Sequence, residues 1–585
     1  MSRDHDKRVT DLRARFAGHG VEGFIVPRAD EHLGEYVPAS AERLAWLTGF
    51  TGSAGLAIVL TESAAVFSDG RYTLQLEAQT DPAIFQRRHI TLEKPEDWLR
   101  RAAPGARIGY DPRLISAEGL KRFTGVEMVA VPNLVDEIWA DQPAKPASLV
   151  VVQGLEFAGE SAAEKRAWLG NALRCAGQDA ALMTDPTSVC WLFNIRGSDV
   201  EFCPVALSFA LLHKDGKADL FIEPARVSAE VREHLGAEVS VLPLEALPQA
   251  LAALSGKMVR YDPASQPVWF ETRLKATGAE IVYGPDITAL PRAQKNAVEQ
   301  AGSRIAHERD GVAMVRFLAW FASNGVGGTE ASVAEKLLEL RALGENFKGE
   351  SFAAISGAGE NGAIIHYRVT PESNRAIKPD EAYLIDSGGQ YLEATTDITR
   401  TLWTGPGAPP EVLKEHFTRV LAGHIALAGI VFPEGVAGPH LDILARAALW
   451  AAGLDYDHGT GHGVGSYLSV HEGPAGISRA AKPVALAPGM ILSNEPGYYL
   501  PGSYGIRLEN LVLVQSADLP GAQKPFLCFE TLTLVPFERA LIEPAFLPPA
   551  ARAWLNAYHA RVFERLNPLL SAPERAWLGG ATQPI

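Results

Sequence analysis

The rhythm of apolar positions changes about halfway along this chain. In the first half, short apolar runs alternate with helical stretches and turns. Residues 57–60 and 65–67 flank Thr61-Glu62-Ser63, a pattern that predicts a hairpin. From residue 295 the texture becomes helical: residues 295–322 carry Val298, Ile305, Val312 and Val315 among charges, as an amphipathic helix would. Residues 329–343 predict a second helix with Thr329 as its N-cap. Residues 437–452 predict a third, presenting Leu441, Leu444, Ala448 and Leu449 and stopped by Gly453. Strands are expected at 382–385, 396–403, 490–493, 507–514 and 531–535. This order of strands and helices indicates an α+β domain. Beyond Pro544 the pattern is helical again, with Trp554, Leu555 and Val562 as packing residues.

The first half also repeats itself. Leu44-Ala45-Trp46-Leu47-Thr48-Gly49-Phe50 leads into the apolar run 54–60, and Ser188-Val189-Cys190-Trp191-Leu192-Phe193 leads, a few residues on, into 205–212. The two tryptophans are 145 residues apart. Gly109-Tyr110-Asp111-Pro112 recurs as Arg260-Tyr261-Asp262-Pro263, an offset of 151. Two landmarks at nearly one offset predict a duplicated unit, read here as two similar α/β domains. Proline and polar residues mark linkers near 141–146 and 284–291. The expected domains are therefore 1–142, 147–285 and 290–540, with a helical extension over 541–585.

Composition narrows the setting. A chain of 585 residues is too long for one core, and 47% hydrophobic with 21% charged residues is the make-up of a globular protein. A net charge of −15 argues against nucleic acid or an anionic membrane as the main partner. The highly charged start leads into no apolar core segment, so no secretory signal is expected, and no apolar run reaches about 18 residues, so neither is a membrane span. Four cysteines without a CxxC pair suit a reducing compartment, and the cytoplasm is the expectation.

The candidate chemistry sits in the second half. Asp386 lies in Leu384-Ile385-Asp386-Ser387-Gly388-Gly389 and Asp397 in Thr395-Thr396-Asp397-Ile398-Thr399-Arg400-Thr401. His462 lies in a run with glycine at 459, 461, 463 and 465; Glu495 precedes Pro496-Gly497, and Glu509 is expected inside a strand. Each carboxylate sits in or beside an apolar run, where an unpaired charge is costly to bury. One histidine and four carboxylates suit two divalent ions sharing bridging oxygens. The glycine run has neither GxGxxG spacing nor a GK[ST] ending, and the chain has no GxSxG or HExxH motif. Phosphate-loop, serine-hydrolase and zinc-helix readings are set aside.

These five positions and their flanks resemble the metal-binding signature of the pita-bread metallopeptidases, over roughly residues 295 to 540. The resemblance implies two related creatinase-like α/β domains followed by an α+β pita-bread catalytic domain. It implies that Asp386, Asp397 and Glu509 bind one ion, and that Asp397, His462, Glu495 and Glu509 bind the other. A water between the ions would attack the scissile carbonyl as hydroxide, with Glu495 as proton acceptor and donor. His366, His458 and His471 fall where the family places its assisting histidines. Two N-terminal domains before the catalytic one are similar to the family's long aminopeptidase P form rather than to methionine aminopeptidase or prolidase. That implies hydrolysis of the first bond of peptides with proline second, a homodimer, and two metal ions, manganese ahead of zinc or cobalt because the ligation is oxygen-rich. Ser68-Asp69-Gly70-Arg71-Tyr72 also resembles that subgroup, and Arg71 is a first-domain candidate for facing substrate. A dipeptide-limited prolidase and a non-catalytic peptide-binding module are the alternatives.

Overall fold

The computed structural model describes residues 2–585. The backbone divides into two compact units, one built from residues up to 153 and from 160 to 289, the other from 154–159 and 290–585.

The first unit holds two six-stranded sheets of identical topology. One runs Gln86–His89, Ala64–Ser68, Leu56–Leu60, Gly23–Pro27, Arg107–Tyr110, Glu127–Ala130; the other runs Val239–Leu242, Ala218–Phe221, Phe209–His213, Ala180–Met183, Met258–Tyr261, Glu280–Tyr283. In both, the second, third and fourth strands of that order pair antiparallel and the outer pairings are parallel. The expected hairpin is present, with Leu60 donating to the Ser63 carbonyl at 2.7 Å. Trp46 and Trp191 lie on equivalent helices, Arg43–Thr48 and Pro186–Phe193. Tyr110 and Tyr261 each end the equivalent strand. The offsets thus mark an architectural duplication. Central strands are buried on both faces, which is why their sequences read as continuous apolar runs.

The repeated Tyr-Asp-Pro segments meet each other. Glu118 N–H donates to the Pro263 carbonyl at 2.9 Å and Trp269 N–H to the Pro112 carbonyl at 3.0 Å. Since 118 and 269 stand at the repeat offset, as do 112 and 263, the contact is reciprocal. It has the self-complementary form of a two-fold interface, here within one chain.

The second unit is α+β. A six-stranded sheet runs Val431–Pro433, Phe526–Thr531, Asn510–Ala517, Ile491–Asn494, Gly461–Gly463, Glu472–Ile477, and a three-stranded one runs Ile355–Ala358, Ala382–Ser387, Ile398–Trp403. Helices Ala297–Asn324, Glu330–Ala342, Glu411–Ala428, Gly438–Trp450 and Pro549–Leu566 pack around them. Thr329 is the expected N-cap, its hydroxyl accepting from Ser332 N–H at 3.2 Å.

Three expectations need correction. Val298 and Ile305 are 39% and 51% exposed, and the buried face of that helix instead carries Ser303, Ala306, His307, Asp310 and Gly311 before Met314 and Phe317. At about 100° per residue Val298 and Ile305 stand on the side opposite that face, whereas Val315 is buried as expected and Val312 is partly buried. The expected strand 507–514 is broken: Tyr504–Arg507 and Asn510–Ala517 belong to different sheets, leaving Glu509 in the gap rather than inside a strand. The strand expected at 531–535 ends at Thr531: Leu532 N–H still bonds to the Leu511 carbonyl, but the Leu511 N–H is taken by the Thr533 hydroxyl instead of a backbone carbonyl, and the ladder stops. Among the described residues no helix is long and apolar enough to cross a membrane. None of the four cysteines forms a disulfide.

Candidate active site

The two aspartates are brought together by strand pairing. Asp386 is next to last in Ala382–Ser387 and lies opposite Thr399, while Asp397 stands one residue ahead of the partner strand Ile398–Trp403. The chain between them turns tightly enough that a Cβ at Gly388 would lie 2.1 Å from the Thr396 carbonyl oxygen. No side chain fits there. His462 is delivered by Gly461–Gly463, pressed so closely into its sheet that a Cβ at Gly461 would meet the Ser493 carbonyl oxygen at 2.0 Å. This explains the glycines: they let backbone approach backbone. Glu495 follows Ile491–Asn494 directly, and Glu509 is fixed in its gap by donating its N–H to the Thr399 carbonyl at 3.2 Å.

All five converge. His462 Nε2 is 3.5 Å from Asp397 Oδ2 and 3.6 Å from Glu495 Oε1. One donor atom each from Asp397, His462 and Glu509 lie within 4.8 Å of one another, the spacing of a shared cation. Asp386, Asp397 and Glu509 are buried and Glu495 is half-buried. Thr399 donates to Glu509 Oε2 at 2.8 Å, and Arg507 Nη2 donates to Asp386 Oδ2 at 2.7 Å. The other oxygens, Asp386 Oδ1 and Glu509 Oε1, are buried without a protein donor. A buried carboxylate oxygen in that state costs more than a kcal/mol unless something positive meets it, about 1–3 or above for charged groups.

Electrostatics repeats the message. Burial holds Asp397 well above the usual carboxylate range, reinforced by the charges of Glu509, Asp386 and Glu495. Glu509 is raised in the same way, by burial and then Glu495 and Asp386. Burial pushes Glu495 up to about 7, with Arg507 opposing and Asp386 adding to the rise. The cluster is overcharged for its one arginine.

The histidines are placed unequally. His471 stands edge-on to His462, ring centres 4.3 Å apart at 85°. His458 Nδ1 is 4.0 Å from Glu495 Oε2, and its Nε2 pairs with the Tyr499 hydroxyl at 2.9 Å. His366 is half-buried in the turn after Gly359–Ala363; its neighbour Ile365 offers a carbonyl to Arg507 Nη1 at 3.2 Å. Arg71 belongs to the other unit, where Asp69 engages its guanidinium at 2.7 Å. Sequence reasoning missed Arg507 and Tyr499: Arg507 donates to Asp386 and, through Nη1, to the Tyr499 oxygen at 2.6 Å, and the Tyr499 hydroxyl pairs in turn with His458. An arginine in an otherwise apolar strand two residues before Glu509 was the available signal, since a buried arginine must be paired.

Comparison with known proteins follows the same division of the chain. Residues 301–516 match metallopeptidase family M24, residues 8–138 and 141–299 each match the creatinase/prolidase N-terminal domain, and residues 525–585 match the C-terminal region of peptidase M24. Aminopeptidase P2 of Arabidopsis thaliana is 38% identical over 631 residues, covering 99% of this chain and 88% of that one. Aminopeptidase P1 of Lotus japonicus is 37% identical over 658 residues, covering 99% and 100%. The crystal structure of an X-prolyl aminopeptidase from Caenorhabditis elegans, described as a cytosolic enzyme with a di-nuclear active site, superposes with a TM-score of 0.94 at 33% identity, covering 99% of this chain and all of that one. Full-length agreement in sequence and fold, with an acid cluster fit for metal at its centre, makes the chain a member of metallopeptidase family M24, of the three-domain aminopeptidase P kind.

Proposed function

We propose that this chain is a metal-dependent Xaa-Pro aminopeptidase, hydrolysing the first peptide bond of peptides with proline in second position, and that Asp386, Asp397, His462, Glu495 and Glu509 are its metal ligands. The observation that carries the ligand assignment is the pair of buried, donorless oxygens, Asp386 Oδ1 and Glu509 Oε1, inside a cluster of four carboxylates and one imidazole. Two divalent ions fit that donor set. Asp386, Asp397 and Glu509 would hold one, and Asp397, His462, Glu495 and Glu509 the other. When bound, the ions offset the buried negative charge and supply Lewis acidity and a water of lowered pKa. Oxygen-rich ligation favours manganese over zinc.

The chain's own groups supply the rest. Glu495, 3.6 Å from His462 Nε2 and 4.0 Å from His458 Nδ1, is the group that takes and returns the proton. His458, fixed through Tyr499, and His471, set edge-on to His462, are the donors for the carbonyl oxygen and the developing oxyanion, with His366 as a third. Proline fixes the backbone of the substrate and removes an N–H, so the pocket must be shaped for the ring. The protein works as a homodimer in the cytoplasm; support for the compartment is the cytosolic character of the Caenorhabditis elegans enzyme and four cysteines that form no disulfide. The domain limits are those at 142, 147, 285, 290 and 540.

Hydrolysis of Arg-Pro-Pro against Arg-Pro, by protein stripped of metal and reloaded with Mn²⁺, Zn²⁺ or Co²⁺, tests the reading. Cleavage of the tripeptide's first bond, lost on chelation and restored by Mn²⁺, is the expected result. Cleavage of the dipeptide alone would make the chain a prolidase. Silence with every metal would make it a binding module.

A further inference from the structure

Helix Gly438–Trp450 contributes no residue to the acid cluster, yet it buries an ion pair completely: Asp442 and Arg446, one turn apart, are each 1% exposed. We propose that Asp442 and Arg446 are positioning residues that set His458 and Glu495 for turnover. This rests on the roles assigned to those two groups above.

Apart from the bond that joins the two, the pair's bonds reach the segment carrying His458. Arg446 Nε donates to Asp442 Oδ2 at 2.7 Å; Nη1 donates to Asp455 Oδ1 at 2.8 Å and to the Tyr456 carbonyl at 2.7 Å; Nη2 donates to the His458 carbonyl at 2.7 Å. Its guanidinium lies 3.8 Å over the Tyr456 ring. Asp442 Oδ1 accepts from the Thr460 hydroxyl at 2.6 Å, and that hydroxyl also pairs with the Tyr456 hydroxyl at 2.5 Å. The Thr460 carbonyl in turn accepts the Glu495 N–H at 2.8 Å. A path of short bonds therefore runs from one helix to the backbone of both His458 and Glu495.

The segment needs such support. Residues 455–459 belong to neither helix nor strand, and the chain rejoins the sheet at Thr460, whose N–H donates to the Ile477 carbonyl at 2.8 Å. The helix is a firm base. A Cβ at Gly423 of the neighbouring helix would meet the Ala445 carbonyl oxygen at 2.0 Å, and one at Gly438 would meet the Gly476 carbonyl oxygen at 2.1 Å. Backbone rests on backbone at both places. If the pair served stability alone, apolar residues would do as well, because desolvation offsets most of what a buried ion pair contributes. What apolar residues lack is the planar fork that fixes two carbonyls and two carboxylates at once.

The test uses full-length protein reloaded with metal. Arg446→Lys keeps the charge and loses the fork; Thr460→Val keeps the shape and loses the hydroxyl; Thr460→Ser restores it. The readouts are kcat and KM on an Xaa-Pro-Pro tripeptide, bound metal by elemental analysis, and the thermal midpoint. Lysine at 446 and valine at 460 should lower kcat by about 10- to 100-fold, the scale expected of a misplacement near 1 Å. KM and metal content should stay near wild type, and serine at 460 should rescue kcat. Unchanged kcat with a lower thermal midpoint would overturn the proposal, as would metal lost in step with activity, or serine no better than valine. Should lysine at 446 prevent folding, the Thr460 pair decides alone. Wild-type protein inert with every metal would instead overturn the underlying assignment of function.

Discussion

The two units bury charge in opposite ways. In the N-terminal unit the central strands are buried throughout, and buried arginines find acids, Arg43 with Asp136 and Arg226 with Asp199; buried Asp30 accepts two backbone N–H groups on one oxygen and has no donor on the other. In the catalytic unit, buried strands carry or flank Asp386, Asp397 and Glu509, and two of the three keep an oxygen with no protein donor. Its most deeply buried arginines, Arg341, Arg400, Arg446 and Arg507, donate to carbonyls and acids around that cluster or behind it. The contrast teaches that scaffold and site obey one rule, that buried charge must be compensated. The scaffold spreads its buried acids apart, whereas the site gathers four around one arginine and leaves part of their charge for metal.

The sharpest break in the comparison is at Glu495. Glu495→Ala should lower kcat by about 10²–10⁴-fold while the fold survives, read from steady-state kinetics and circular dichroism. More than a few per cent of wild-type activity would place the proton work elsewhere. On the scaffold side, Arg226→Met strands the fully buried Asp199 carboxylate and should cost about 3 kcal/mol of stability in denaturant unfolding. A cost under 1 kcal/mol would mean that the bonds Asp199 accepts from Ser148 and Leu207 suffice.

The metal-free catalytic unit should show the opposite sign. The folded protein holds Glu495 protonated up to about pH 7, whereas the unfolded chain releases that proton near pH 4.5. A raised carboxyl pKa means that stability falls as pH rises between those values, by about 2–3 kcal/mol from this group. Unfolding of chelated protein between pH 4.5 and 8 measures it, and reloading with Mn²⁺ should remove the slope. A stability that rises over this range would refute the overcharged cluster. The smallest effect belongs to the surface: Lys7–Asp11 is 74% and 42% exposed, so Asp11→Asn should change stability by less than about 0.5 kcal/mol.

Much of this was legible beforehand. The duplication was readable because each copy keeps a tryptophan helix and a Tyr-Asp-Pro strand end, local features at a fixed offset. The five clustered residues were readable because acids in apolar runs violate the pattern that surrounds them. The packed face of Ala297–Asn324 was not, because its small and paired polar residues do not look like core. The break at Glu509 was hidden because Leu508 and Leu511 continue the apolar run across it.

What the sequence alone determined is the set of groups: which acids, which imidazoles, which glycines, and two copies of one α/β plan. Periodicity and composition carry that information because burial is paid for locally, residue by residue. Which oxygens face a donor and which face none was decided only by tertiary structure. Arg507 meets Asp386 across 121 positions, and Thr460 reaches Asp442 from beyond the end of its helix. Hydrogen-bond geometry between distant segments depends on how strands register and how closely glycines let them approach, and no local pattern encodes that.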